Sequence, residues 1–276
     1  MIVMPDARDL WRVAALSMMA PEQLSAALQG ESASDWVKAA ANCGFAEAQV
    51  RLGRMLLEGS GIPCDPEAAF ACFECASDSG DADAHNMLGR CFENGWGTAK
   101  DYTKAAHHYG VASDAGLDWA HYNLGHMLLS GSGVTRNRDA ALACYAKAAA
   151  HGHVRAMNLL GRCYEEGWGV AADRDAARVW YRRSAFGGYF RGAYNYADMI
   201  AAEGCIHSAA HWFKCALETA PQPTQGVMLR ALSRRPELVL RNLAVEFNRT
   251  DRTACQRPGL HVPEACASAE ARRQNP

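Results

Sequence analysis

Leu52-Gly-Arg-Met-Leu-Leu-Glu-Gly-Ser-Gly61 and Leu88-Gly-Arg-Cys-Phe-Glu-Asn-Gly-Trp-Gly97 share one template, and the second begins 36 residues after the first. The template returns as Leu124-Gly-His-Met-Leu-Leu-Ser-Gly-Ser-Gly133 and Leu160-Gly-Arg-Cys-Tyr-Glu-Glu-Gly-Trp-Gly169. Self-similarity at such a fixed period marks stacked supersecondary units, each too small to bury its own apolar face. The register holds far beyond the template. A further glycine column runs Gly44, Gly80, Gly116, Gly152, Gly188, and an aromatic one runs Phe73, Tyr109, Tyr145, Tyr181. Alanines keep the same step at Ala69, Ala105, Ala141, Ala177 and at Ala48, Ala84, Ala120, Ala156.

Each unit reads as two helices. In the first, Ala48, Leu52 and Leu56 fall on one face of a helix over 46–58. Gly59 stands where a helix end needs a left-handed residue, and Gly61 keeps the connection short. Asp65 is placed to cap a second helix with Pro66 at its first position; Asp101, Asn137 and Asp173 repeat that cap. Ala69, Phe73 and Ala76 line the buried side, and Gly80 ends the unit. Gly53 and its equivalents lie mid-helix, where glycine costs about 1 kcal/mol against alanine. Their recurrence implies that the second helix crosses there too closely to admit a side chain.

The arrangement resembles the Sel-one-like repeat, a relative of the tetratricopeptide repeat, carried here by Glu47-Ala-Gln-Val-Arg-Leu-Gly53, Gly59-Ser-Gly61, Asp65, Ala69, Phe73, Ala76 and Gly80. The resemblance covers about 46–218, and it departs from the family at the glutamine column, where Gln49 is followed by His85, His121 and Met157. It implies an all-α, right-handed α-solenoid of antiparallel helix pairs. Residues 1–45 then form a helical cap with a partial repeat, 46–218 five repeats with the fifth degenerate, 219–250 two closing helices, and 251–276 a disordered tail. In the fifth copy Tyr196 and Ala197 replace the Leu160 and Gly161 positions, and the loop is four residues shorter before Ala209 and Phe213. The templates also pair at a spacing of 72, so a two-repeat block reads as duplicated and neighbouring units alternate in chemistry.

Composition sets outer limits. Twenty-eight Lys and Arg against 30 Asp and Glu leave a net charge of −2, which argues against a nucleic-acid binder relying on a basic footprint. No apolar run reaches the roughly 18 residues of a membrane span. The stretch Val13–Ala20 is short and follows Asp6, Arg8, Asp9 and Arg12, unlike a secretory leader. A cytoplasmic location is therefore expected, with a periplasmic or secreted one as the alternative, and a monomer is expected. Eleven cysteines keep that alternative open. Cys72/Cys91 and Cys144/Cys163 share a spacing of 19; secreted cysteine-rich relatives use inter-repeat disulfides but place a pair in each repeat, which this chain does not, so buried free thiols at tight helix crossings are expected and disulfides are the alternative.

The resemblance places a peptide-holding groove on the inner face of the first helices. Its candidate positions are Arg54, then Asn86, Arg90 and Glu93, then Tyr122 and His126, then Asn158, Arg162 and Glu165, and finally Tyr194 with Asp198. Asn, Arg and Tyr suit the backbone and acidic groups of an extended peptide. Against this stands a plainer reading, in which Arg90–Glu93 and Arg162–Glu165 are surface pairs at i, i+3, and Trp96 and Trp168 cover helix ends. Cys205, His207, His211 and Cys215 have zinc-ligand types, yet their columns vary as ordinary surface positions do elsewhere, and no metal or cofactor is expected. No phosphate loop, G-x-S-x-G or H-E-x-x-H occurs. The expected function is a non-catalytic scaffold or adaptor for a protein or peptide ligand. The alternatives are a weak hydrolase of the β-lactamase-like kind associated with cysteine-rich relatives, for which no Ser or Cys is grouped with His, and a thiol or metal sensor.

Overall fold

A computed structural model describes residues 5–19 and 33–254. The described residues form fourteen α-helices and no strand. They divide into two compact units, Met1–His151 and Gly152–Pro276.

The first unit holds α1 (Ala7–Met18), α2 (Ala33–Asn42) and three helix pairs: α3 (Ala46–Glu58) with α4 (Pro66–Ser77), α5 (Ala82–Asn94) with α6 (Tyr102–Asp114), and α7 (Asp118–Ser130) with α8 (Arg138–Ala150). Each helix packs on the next, and α3 also touches α5, so first helices line one side and second helices the other. The second unit holds α9 (Val154–Glu166) with α10 (Arg174–Phe186), α11 (Phe190–Ala202) with α12 (Ile206–Thr219), then α13 (Gln222–Ser233) and α14 (Leu238–Ala254). Helix pairs stacked in this way make an all-α solenoid fold. Of the expected tail, residues 255–276 lie outside the described residues.

Local chemistry explains the loop inside each of the four regular helix pairs. α3, α5, α7 and α9 end at Gly59, Gly95, Gly131 and Gly167, all left-handed with φ between 68° and 81°. The capping oxygens of Asp65, Asp101, Asn137 and Asp173 accept the backbone N–H three residues on, at 2.9–3.0 Å. The same capping residues donate their own N–H back to Leu56, Phe92, Leu128 and Tyr164, at 2.8–2.9 Å, which locks each short loop against its first helix.

The mid-helix glycines behave as their recurrence implied. A Cβ at Gly53 would lie 2.5 Å from the Phe73 ring, and one at Gly89 or Gly125 would lie 2.6 Å from Tyr109 or Tyr145. Gly161 and Tyr181 repeat the crossing in the second unit at 2.7 Å. All four rings are fully buried. In α11 and α12 the crossing changes form: buried Ala197 takes the glycine position and buried Phe213 the aromatic one. The second turn glycines act between pairs. Gly97 and Gly133, with φ 66° and 70°, abut the first residues of α4 and α6, where a side chain would run into the carbonyls of Pro66 and Tyr102.

Beyond α12, the core of the second unit continues into Met228, Leu232, Leu240 and Ala244, covering the last repeat face with α13 and α14. Arg235, at the turn between them, pairs with Asp198 of α11 and lies over the Phe213 ring. Asp198 therefore anchors the closing helices rather than standing free at the end of the inner face.

Two glycines of the same helix pair should respond oppositely to alanine. Gly89→Ala is expected to lower stability by about 1–3 kcal/mol through collision with Tyr109. Gly110→Ala, in α6 with nothing within 4 Å of its added methyl, should raise it by about 0.5–1 kcal/mol. Urea midpoints read both; equal signs would contradict the crossing.

Candidate functional site

The inner-face candidates share one arrangement in two repeats and differ from it in the others. In α5, Arg90 and Glu93 lie one turn apart but serve different neighbours. The Glu93 carboxylate accepts the Tyr109 hydroxyl at 2.6 Å, and Arg90 lies over the Trp96 ring with its guanidinium carbon 5.0 Å from the centroid. Arg90 also meets the Met87 sulfur at 3.6 Å, a weak acceptor. In the second unit the constellation recurs: Tyr181 donates to Glu165 at 2.6 Å, and Arg162 lies 4.9 Å over Trp168. Burial and the adjacent carboxylates push both tyrosine hydroxyls well above their ordinary range, so they remain protonated donors.

The plainer reading of these residues as i, i+3 ion pairs therefore needs correcting. Each glutamate is engaged by a buried tyrosine, and neither Arg90 nor Arg162 has a carboxylate partner among the described residues. Trp96 does pack on the helix-end core beside Val50 and Phe73, as a helix cover should, and its outer face carries the arginine. Cation–π contact on an indole holds a guanidinium flat while leaving its N–H edges available.

Arg54 differs, since it pairs with Asp83 of α5 at 2.9 Å. The His126 position is aromatic in surroundings: Tyr122 meets His126 edge-on at 4.7 Å, and Tyr145 lies 5.7 Å from the same imidazole. Trp119, 44% exposed, extends that cluster at 6.2 Å from Tyr122. Asn86 and Asn158 are buried and accept from Asn123 and Asn195 at 3.0 and 2.9 Å, bracing adjacent first helices. Tyr194 packs edge-on against Phe213 at 5.1 Å. Arg90, Glu93, Tyr122 and His126 thus belong to two local clusters of the first unit, and Arg162 with Glu165 to one of the second. Sequence reasoning missed Trp96 and Trp168 as guanidinium platforms, although the shared Arg-x-x-Glu-x-x-Trp spacing of the two templates was a usable signal.

Chemistry of other kinds finds little support. Cys72, Cys91, Cys144 and Cys163 are free thiols, and burial pushes Cys72, Cys91 and Cys163 up to about 11, 12 and 11, far from the thiolate needed of a nucleophile. Cys215 lies 3.7 Å from His211, and the described residues hold no group of three metal-ligating side chains. The structure does bring together one serine and histidine that the sequence left apart. Ser113 Oγ lies 2.5 Å from His121 Nδ1, but both are buried and tie α6 to α7, leaving a substrate no approach. No helix among the described residues is long and apolar enough to cross a membrane.

The Sel1 repeat model matches residues 46–81, 82–117, 120–153 and 154–189, together just over half of the chain. The chain belongs to the Sel1 repeat family. Sel1 repeats are generally non-catalytic scaffolds for protein–protein interaction. Solved structures share the fold. A Sel1 repeat protein from Oxalobacter formigenes is 24% identical with a TM-score of 0.68, covering 81% of this chain and 96% of that one. A protective antigen of uropathogenic Escherichia coli with an SLR fold is 24% identical with a TM-score of 0.65, covering 90% of this chain. The present chain spans 53% of that antigen's length. An immunity protein from Pseudomonas aeruginosa is 20% identical with a TM-score of 0.52, covering 81% and 86% of the two chains. Comparison with curated proteins finds no match.

A histidine pair between α5 and α6, with His121 at the start of α7, is expected to make stability pH-dependent. His85 and His108 meet through their Nδ1 atoms at 3.1 Å, one donating and the other accepting. Burial, then His85, His107 and Lys104, push His108 down to about 4; burial and then His107 lower His85, with Asp81 opposing. Burial and then Lys147 and His151 lower His121, opposed by Asp114 and Asp118. These imidazoles bind protons more weakly folded than unfolded, so the stability they contribute is present above the ordinary 6.5 and is lost as pH falls toward about 4. The urea midpoint should drop across that window, and His108→Gln should drop less; an identical pH slope in the variant would contradict this assignment.

Proposed function

We propose that this Sel1 repeat protein is a non-catalytic scaffold that holds a peptide or protein segment on the exposed face of the first helices, each unit presenting such a face of its own. The observation that carries the reading is one constellation found once in each unit, around Arg90 in the first and around Arg162 in the second. Each guanidinium rests on an indole without a carboxylate partner among the described residues, while the adjacent glutamate serves a buried tyrosine. A flattened guanidinium with open N–H edges is a donor fork for carbonyl or carboxylate oxygens of a bound chain. Glu93 and Glu165 each keep a second oxygen that can accept from a ligand N–H.

The remaining candidates take graded roles in this reading. Tyr122 and His126 offer aromatic edges for an apolar side chain, and Tyr194 does so near the closing helices. Arg54 would first have to leave Asp83. Asn86 and Asn158, already braced by neighbouring asparagines, set the spacing of the first helices more than they grip a ligand. Among the described residues this face groups no nucleophile with a base and an open approach.

The test is capture of binding proteins from lysate on immobilised wild-type chain and on an Arg90→Gln/His126→Ala/Arg162→Gln variant. The variant is expected to lose those retained proteins that are held by the first-helix face, so that its captured set is smaller than that of wild type, while its helical circular dichroism is unchanged, because all three side chains leave the core intact. A control pair on second helices, Lys104→Ala and Arg174→Ala, should retain them. Capture undiminished by the triple variant removes the first-helix face as the binding surface.

A further inference from the structure

The second helices carry a different surface, and in one repeat it departs sharply from the others. At the outward positions i, i+3, i+4 and i+7, α4 has Ala71, Glu74 and Cys75 with Asp78 just past its end, and α8 has Ala143, Ala146, Lys147 and Ala150. In α6 the same positions are His107, Gly110, Val111 and Asp114. In α10 they become Val179, Arg182, Arg183 and Phe186. This spacing places all four on one stripe of the helix. The stripe is open: Phe186 is 70% exposed and Val179 48%, and both arginines are exposed.

Apolar and cationic groups on this stripe are interleaved and mutually supported. Arg182 lies over the Phe186 ring at 5.8 Å, and Arg183 over Trp180 at 4.7 Å. Phe186 meets Trp212 of α12 edge-on at 5.0 Å, and Trp212 in turn meets Tyr196 at 5.6 Å. The contrast with Arg178, one turn earlier, decides the charge argument. Asp175 and Glu203 hold Arg178 at 3.2 and 3.0 Å, whereas Arg182 and Arg183 have no carboxylate partner among the described residues. Two adjacent guanidiniums left without counter-charge, beside exposed Phe and Val, have the composition of a binding hot spot rather than of ordinary solvated surface.

We infer that the α10 stripe, continued by Trp212 of α12, is a docking surface for an acidic protein segment that also carries apolar side chains. The carboxylates fill the open edges of Arg182 and Arg183, and an apolar side chain covers Phe186 and Val179. The surface lies on second helices, so it is separate from the first-helix face proposed above and does not depend on it.

The probe is a capped, fluorescein-labelled peptide alternating glutamate and leucine, followed by anisotropy against the full chain, with its glutamine–leucine counterpart as a neutral control. Phosphatidylserine-containing vesicles and single-stranded oligouridine are the competing classes. The acidic peptide is expected to bind with Kd of about 10–100 μM, weakening as salt rises. The Arg182→Glu/Arg183→Glu variant should bind at least about tenfold more weakly, and Phe186→Ser severalfold more weakly. Arg90→Gln/Arg162→Gln should bind as wild type. Since Phe186 and both arginines are exposed, unchanged circular dichroism is expected throughout. Three results overturn the inference: no binding of the acidic peptide at about 1 mM, binding insensitive to the α10 variants, or tighter binding of vesicles or oligouridine that depends on the same residues. None of these bears on the first-helix capture experiment.

Discussion

Everything in this fold depends on an aromatic ring meeting a helix backbone where a side chain has been removed. Phe73 on Gly53, Tyr109 on Gly89, Tyr145 on Gly125 and Tyr181 on Gly161 are the same contact four times. The glycine weakens its own helix, yet it lets a large buried ring reach the backbone of its partner. That single contact sets the separation of the two helices in a pair. The rest follows from it: the short loop can close only at that separation, and the cap that starts the second helix can reach back to the first.

The same ring then acquires a second task in alternate repeats. Where the first helix supplies Glu93 or Glu165, the tyrosine hydroxyl has a carboxylate to donate to. Where it supplies Leu129 at that position, the aromatic surroundings of His126 take over. The core contact is thus common to the four regular repeats while the surface above it differs between them. This is how a repetitive chain varies its inner face without disturbing its packing, since each repeat answers mainly to its immediate neighbours.

Most of the architecture was legible because the constraints act locally. A left-handed helix end demands Gly59, a cap demands Asp65, and a crossing demands Gly53, so each leaves a residue type in a fixed column. The inner-face partners were less legible because several bonds compete for each group. Glu93 could pair with Arg90 one turn away or with Tyr109 across the helix pair, and spacing alone favours the nearer. Only the buried depth of the ring shows that the tyrosine takes it. Ser113 and His121 likewise meet through helix stacking that no spacing rule anticipates. The α10 stripe escaped for the opposite reason: it belongs to one copy, and reading by columns treats a single departure as variation.

The turn glycines Gly97 and Gly133 have a consequence for how such a chain can change its length. Each is pressed against the start of the preceding second helix, so inserting even one residue in the turn would shift the contact out of place. A whole repeat, by contrast, brings its own glycine and its own landing point. Growth or loss in steps of 36 residues preserves the fold, but only a step of 72 carries Arg90–Trp96 onto Arg162–Trp168, since a step of 36 meets Ser60 or Ser132 where the indole stood. The chain therefore has a parity. Recombination within a gene of this kind can be neutral for folding and still decide whether a given repeat presents an arginine on an indole.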